Sequence, residues 1–273
     1  MTLSLSMWSM HRTVKERSWG VIDFLRHCKR SGWDQVELLA HFWKDGTEAE
    51  QAADFARASG IKVVSYAVSN NFVSRDPAER QAALRKITDG IPVAQLLGTS
   101  TIRVFSGNWS EGVAYEEAMR WILEGLAEAA REAERSGVTL CLENHGKLAG
   151  RGEQVKEIIE SVGSPALRST FDTGNFLLVD EQPAAALEAL LPYIAHVHFK
   201  DFKEQPGGRY KSLGQRVYEG VPAGEGDAGL AHIVGMLKRS GYGGAYVLEY
   251  EGVGSEDEGI RRSFANYERL VLS

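Results

Sequence analysis

Short apolar, β-branched runs alternate with longer amphipathic stretches along the whole chain, the pattern of parallel strands joined by crossover helices. Eight runs read as strands: Leu3 to Trp8, Gln35 to Ala40, Lys62 to Val68, Thr101 to Phe105, Val138 to Glu143, Leu167 to Asp172, Ala195 to Phe199 and Ala245 to Tyr250. The segments between them carry helix-boundary chemistry. Asp76-Pro77 followed by Glu79 predicts an N-cap, a proline at the first helical position and an acid in the first turn. Gly60, Gly98, Gly137, Gly163 and Gly241 each end a helical run shortly before a strand, as residues in the left-handed region do after a helix. Eight units in 273 residues leave about 34 residues for each strand and helix. The expected fold is therefore α/β, a single-domain (β/α)8 barrel over residues 1–273. A doubly wound open sheet is the competing architecture, but Ser9, Met10 and His11 stand where its glycine fingerprint would follow the first strand.

Two segments break the rhythm: Gly107 to Gly112 (GNWSEG) after the fourth strand, and Asp201 to Gly229 after the seventh. Loops that follow strands build the working face of a barrel, so enlarged ones there suggest a lid or clamp. Composition narrows the partners. A formal net charge of -6 draws the protein neither to phosphate backbones nor to anionic membranes. No apolar run approaches the roughly 20 residues of a membrane span, and the first residues, MTLSLSMWSM, lack a basic leader region. A soluble, cytoplasmic protein is expected, with no nucleic-acid or membrane partner; a homo-oligomer stays open. Cys28 and Cys141 are too few and too far apart for a disulfide framework or a zinc motif, and read as buried thiols.

The chemistry gathers at the ends of the late strands, which read VTLCLENHG, LRSTFDTGN, AHVHFKD and YVLEYEG. Side chains alternate between barrel interior and helix layer, so Thr139, Cys141 and Glu143 share one face while Val138, Leu140 and Leu142 share the other. The apolar set must face the helices. The same alternation aims Asp172, His198 and Glu249 inward from the next three barrel strands. Three carboxylates and an imidazole, with no lysine or arginine in the set, would repel one another and shift their pKa values. One divalent ion resolves the conflict, and the donor set suits Mn2+, Zn2+, Co2+ or Mg2+. An acid at one strand end is commonly a solvated loop residue or a helix cap. Four such groups on successive strands argue otherwise.

The segments CLENHG, FDTGN, HVHFKD and VLEYEG resemble the sugar phosphate isomerase/epimerase superfamily, the xylose isomerase-like TIM barrels. That group includes tagatose and psicose 3-epimerases, hydroxypyruvate isomerase, inosose dehydratase, dehydroshikimate dehydratase and, more distantly, endonuclease IV. The resemblance implies Glu143, Asp172, His198 and Glu249 as metal ligands, with Glu143 and Glu249 as acid and base on opposite faces of the substrate. It extends to Glu37 and to Gly224-Glu225-Gly226-Asp227. One position departs: ketohexose epimerases carry a substrate-contacting histidine three residues after the metal aspartate, and this chain has Asn175. Asparagine can hydrogen-bond a hydroxyl but cannot relay a proton near neutral pH.

The expected reaction is isomerisation or epimerisation of a sugar, keto-sugar or cyclitol, in which a metal holding a carbonyl oxygen and a neighbouring hydroxyl stabilises an enediolate. The same machinery acting on a substrate with a β-leaving group is a dehydratase or carbon–oxygen lyase. An abasic-site endonuclease is disfavoured by the charge and by the lack of further histidines on strands two to four. A silent sugar-binding or partner-binding barrel is the fourth alternative. Asn175, Lys200, His145, Arg103 and Trp109 are the expected substrate contacts. The other aromatic residues near strand ends, Trp8, Tyr66 and Phe72, read as sugar-stacking or, as such residues more often are, core or rim packing. Lys200 reads equally as a salt bridge to a strand-end acid, and an inward Arg103 needs an anion such as Glu143 or a substrate carboxylate. His196 reads as a hydrogen-bonded interior residue. Lys203, Arg209, Lys211 and Arg216 give the long loop a basic excess, read as solvated loop surface.

Overall fold

A computed structural model describes residues 2–44 and 47–272. In chain order the strands are β1 (Leu3–Ser6), β2 (Gln35–Leu39), β3 (Lys62–Ala67), β4 (Thr101–Val104), β5 (Thr139–Glu143), β6 (Leu167–Asp172), β7 (Ile194–Phe199), β8 (Phe202–Glu204), β9 (Tyr210–Lys211), β10 (Val217–Gly220) and β11 (Ala245–Leu248). β1 to β7 and β11 pair in parallel and close into a barrel, with β11 seated between β7 and β1. These are the eight strands the hydrophobic pattern marks, each shifted by at most two residues at an end. β8, β10 and β9 form a separate antiparallel sheet within the long segment after β7. Regular structure there was not expected, because the strands are two to four residues long and carry mixed polar side chains.

The helices are α1 (His11–Glu16), α2 (Val21–Ser31), α3 (Glu48–Ser59), α4 (Pro77–Thr88), α5 (Gly90–Leu96), α6 (Tyr115–Arg135), α7 (Gly152–Val162), α8 (Pro183–Leu190), α9 (Leu230–Arg239) and α10 (Glu256–Leu272). Asp76 caps α4 by accepting from the Ala78 N–H, with Pro77 at the first position. Gly60, Gly98, Gly137, Gly163 and Gly241 all take φ between +65° and +78°, the left-handed region that L side chains resist. Leu140, Leu142, Ile102, Val104, Val197 and Phe199 are fully buried in the shared core. Both cysteines are buried, and burial pushes the Cys141 thiol up to about 12.

Two irregularities matter for the site. Pairing of β2 with β3 slips between Val36 and Glu37, so that Glu37 stands opposite Ser65. Pairing of β6 with β7 slips between Ser169 and Thr170, which sets Asp172 directly opposite His198. Such slips re-aim side chains near functional centres. Asp201, just past β7, then ties down the segment after the small sheet: its carboxylate accepts from the N–H groups of Gly224, Gly226 and Ala228 at 3.0, 2.9 and 3.0 Å. A Cβ at Gly226 would lie 2.3 Å from Asp201 Oδ1, so this close approach requires glycine.

Candidate metal centre

β5, β6 and β7 end in Glu143, Asp172 and, one residue earlier, His198; Glu249 follows β11 directly. The structure gathers one donor atom from each within 4.8 Å of the others. His198 Nδ1 lies 3.3 Å from Glu143 Oε2, 3.5 Å from Glu249 Oε1 and 3.9 Å from Asp172 Oδ2. Backbone and amide groups fix these side chains. Asp172 Oδ1 accepts from the Gly174 and Asn175 N–H groups, both at 2.9 Å. The Asn144 amide bridges the ends of β5 and β6, accepting from the Asp172 N–H at 2.7 Å and donating to the Asp172 carbonyl at 3.0 Å.

Glu37 lies beneath the cluster with no exposed surface. Its Oε2 accepts from Ser65 and meets His196 Nε2 at 3.1 Å and His198 Nε2 at 3.2 Å; its Oε1 accepts from Ser6 at 3.0 Å. A proton on His198 Nε2 directed at Glu37 leaves Nδ1 as a free lone pair facing the three acids, the usual way a carboxylate orients a ligating imidazole. Glu37, His196 and His198 also converge closely enough to hold an ion. Hydrogen bonds already satisfy that lower group, however. In the upper cluster Glu143 Oε2, Asp172 Oδ2 and His198 Nδ1 are buried with no hydrogen-bond partner. Buried polar atoms are rarely left so, and the donor set fits a divalent cation.

The sequence reading left lysine and arginine out of the set, and here the structure corrects it. Arg103 Nε stands 3.1 Å from Glu143 Oε2, outside hydrogen-bond alignment. Lys200 Nζ stands 3.0 Å from Asp172, 2.8 Å from Glu249 and 3.0 Å from Glu251. The alternation argument placed three acids and a histidine and neglected Glu251, two residues beyond Glu249. Five carboxylates, from Glu37, Glu143, Asp172, Glu249 and Glu251, thus meet two fixed cations, leaving a negative excess of three if both histidines are neutral. The electrostatic case for a dication survives in weaker form.

The titrations follow from that excess. Burial disfavours charge on His198, but Glu249, Glu37 and Glu143 hold its imidazolium well above the ordinary histidine range. Burial likewise opposes ionisation of Glu143, yet Arg103 and His198 hold its carboxyl well below the usual range. Burial pushes Asp172 up to about 6, because Lys200, which opposes the shift, is shared with two other acids. Those same acids outweigh burial at Lys200 and keep it an ammonium.

A cavity of about 290 Å3 opens above the cluster, walled by Trp8, Leu39, Ser69, Arg103, Phe105 and His145 together with Glu143, Lys200, Glu249 and Glu251. His145 packs on Phe105 with ring centroids 4.9 Å apart. The structure does not bring every expected contact into this wall. Asn175 lies behind Glu143, donating to Glu143 Oε1 and to the Asn144 carbonyl, both at 3.1 Å. Trp109 is 44% exposed and lines a separate polar surface cleft with Asn71, Asn108 and Ser110. Tyr66 and Phe72 are buried in the core. Of the basic loop residues, Arg209 pairs with Glu219 and Arg216 with Glu204. Sequence reasoning missed Glu251, Leu39 and Ser69; only Glu251 carried a signal, its i+2 spacing from Glu249.

Fold and cavity together define an α/β barrel whose strand-end loops frame a buried polar centre. The chain belongs to the xylose isomerase-like TIM barrel family, which it matches over residues 25–270. Among its relatives is the L-ribulose-5-phosphate 3-epimerase UlaE of Shigella flexneri serotype 5b, 27% identical over 252 residues, covering 86% of this chain and 84% of that protein. Solved structures of the same fold include a probable 3-DHS dehydratase, AsbF, of Bacillus anthracis, at TM-score 0.75 and 18% identity over 99% and 98% of the two chains. Another is the IOLI protein with a bound zinc atom, at TM-score 0.78 and 18% identity over 99% and 98%. No helix among the described residues is long and apolar enough to cross a membrane.

Proposed function

We propose that the protein is a divalent-metal-dependent isomerase or epimerase of a keto-sugar or cyclitol, with Glu143, Asp172, His198 and Glu249 as ligands. The observation that carries this reading is the set of buried atoms without a hydrogen-bond partner, Glu143 Oε2, Asp172 Oδ2 and His198 Nδ1, drawn together with Glu249 within 4.8 Å, where Arg103 and Lys200 offset only part of the negative charge. The epimerase relative and the zinc-bound neighbour support it. A divalent ion held there supplies Lewis-acid polarisation of a substrate carbonyl and its neighbouring hydroxyl, which acidifies the adjacent C–H. Glu143 and Glu249, reaching the cluster from β5 and from beyond β11, act as base and acid, removing a proton from carbon and returning one to it. Asn175 orients Glu143 by donating to Oε1, leaving Oε2 toward the cluster. Lys200 does the same for Glu249 by holding Oε2. His145 lends the wall a polar edge, and Trp109, in its separate cleft, takes no part. The cavity suits a neutral sugar, since acids already occupy both of its permanently charged basic groups, Arg103 and Lys200.

A lyase reading follows if the substrate carries a leaving group β to the carbonyl; the likeness to a probable dehydratase and the absence of a proton-relaying histidine at Asn175 favour it as the second choice. The test is metal-dependent incorporation of solvent deuterium into keto-sugars, with product mass read alongside. Unchanged mass apart from the label marks isomerisation, and loss of water or another group marks the lyase. Glu143→Gln and Glu249→Gln are each expected to slow exchange about 10²- to 10⁴-fold. Exchange that persists after chelation would overturn the reading.

A further inference from the structure

Beside the metal cavity, between the loops that follow β1 and β2, lies a second and larger cleft of about 490 Å3. Trp8 and His41 line both spaces, so the cleft adjoins the cavity. Its remaining walls hold Trp19, Phe42 and Trp43, each only half-buried although the chain's other large rings are mostly core. Trp8 is anchored: its Nε1 donates to Glu251 Oε1 at 3.0 Å, and Glu251 in turn pairs with Lys200. His11 stacks on the Trp8 ring at 4.8 Å, and Phe42 sits 6.3 Å from it. Among the described residues no carboxylate lines the cleft; the polar groups there include Lys15, Ser18 and Lys44. Aromatic faces ringed by such donors hold ring-shaped ligands that have one apolar face and hydroxyls at the edge.

We infer that this cleft is a subsite for a second ring, so that the substrate is a keto-sugar carried on a glycosyl or aryl group rather than a free monosaccharide. The inference rests on the proposed function, since the reacting ring occupies the metal cavity while its attached ring lies past Trp8 and His41. A free keto-hexose fills the inner cavity alone and leaves the aromatic cleft to water.

Two measurements test this. The first is calorimetric titration of the metal-loaded protein with glucose, cellobiose and 4-nitrophenyl β-glucoside, none of which need react. Cellobiose or the aryl glucoside is expected to bind at least about ten-fold more tightly than glucose, roughly the value of one well-packed ring. Tight binding of cellobiose identifies a glycosyl occupant, and tight binding of the nitrophenyl compound alone an aryl one. The advantage is expected to fall towards one in Trp19→Ala and, independently, in Phe42→Ala. Equal affinity for all three ligands, no binding at all, or an advantage that survives both substitutions would overturn the inference. The second is deuterium exchange with a free keto-hexose and with its glycoside, where the ratio of their KM values should fall in the same two variants. Failure of exchange with every substrate counts against the proposed chemistry, while the titration still judges the subsite.

Discussion

Glu37 shows how much one side chain far from the open cavity can decide. Its two oxygens meet Ser6, Ser65, His196 and His198, and through His198 they set which imidazole nitrogen faces the acids. Glutamine at this position offers one acceptor and an amide donor aimed at two histidines. Glu37→Gln should therefore weaken metal binding about 10- to 100-fold, read by competition with a chromogenic chelator. Lys200 has the opposite role, joining three acids. Lys200→Met leaves them unmatched in a buried setting and should cost about 3–5 kcal/mol in denaturant melts of the metal-free protein. Added metal should restore part of the loss, and an unchanged melt would show that the acids are protonated.

At the scale of elements, the site depends on helices holding strand ends in register. Gly125, in the middle of α6, marks one such contact: a Cβ there would lie 2.3 Å from the buried Phe72 ring, in the segment after β3. Alanine is the better helix former by about 1 kcal/mol, which taken alone predicts stabilisation. Overpacking against an immobile ring costs about 1–3 kcal/mol and should win. Gly125→Ala is expected to lower the melting temperature, and a rise would mean that Phe72 moves aside freely. The strands themselves were legible in the sequence because each is a short β-branched run closed by a polar turn. The sheet of β8, β9 and β10 was not, because short polar strands carry no periodic signal. It exists through the Asp201 anchor and the Arg209–Glu219 and Arg216–Glu204 pairs.

For the whole molecule, the proposed metal site links ion binding to folding, since an ion that binds only the folded barrel would stabilise it by mass action. In the metal-free protein His198 holds a proton well above the ordinary histidine range, and the ion must displace it. Below the unfolded histidine value that proton stabilises the metal-free fold in full; the contribution is lost as pH rises through the folded value. The gap in melting temperature between metal-loaded and stripped protein should therefore widen from about pH 6 to pH 8. Differential scanning at matched ionic strength reads it, and a constant gap would mean that Nδ1 is already unprotonated.

The periodicity of single strands determined the barrel and the inward aim of Glu143, Asp172, His198 and Glu249, because alternation is local and repeats every two residues, and glycines at the ends of helical runs marked the left-handed turns. Only the closed barrel decided which atoms meet. Glu37 and His198 touch across 161 positions of sequence, Lys200 joins three acids at once where the linear reading offered it one, and Asn175 and Trp109 lie outside the cavity wall. The aromatic cleft arises likewise where loops after β1 and β2 lie side by side. Which face a residue takes follows from its own strand, but distance across the barrel follows from register, bulges and closure, which no single segment encodes.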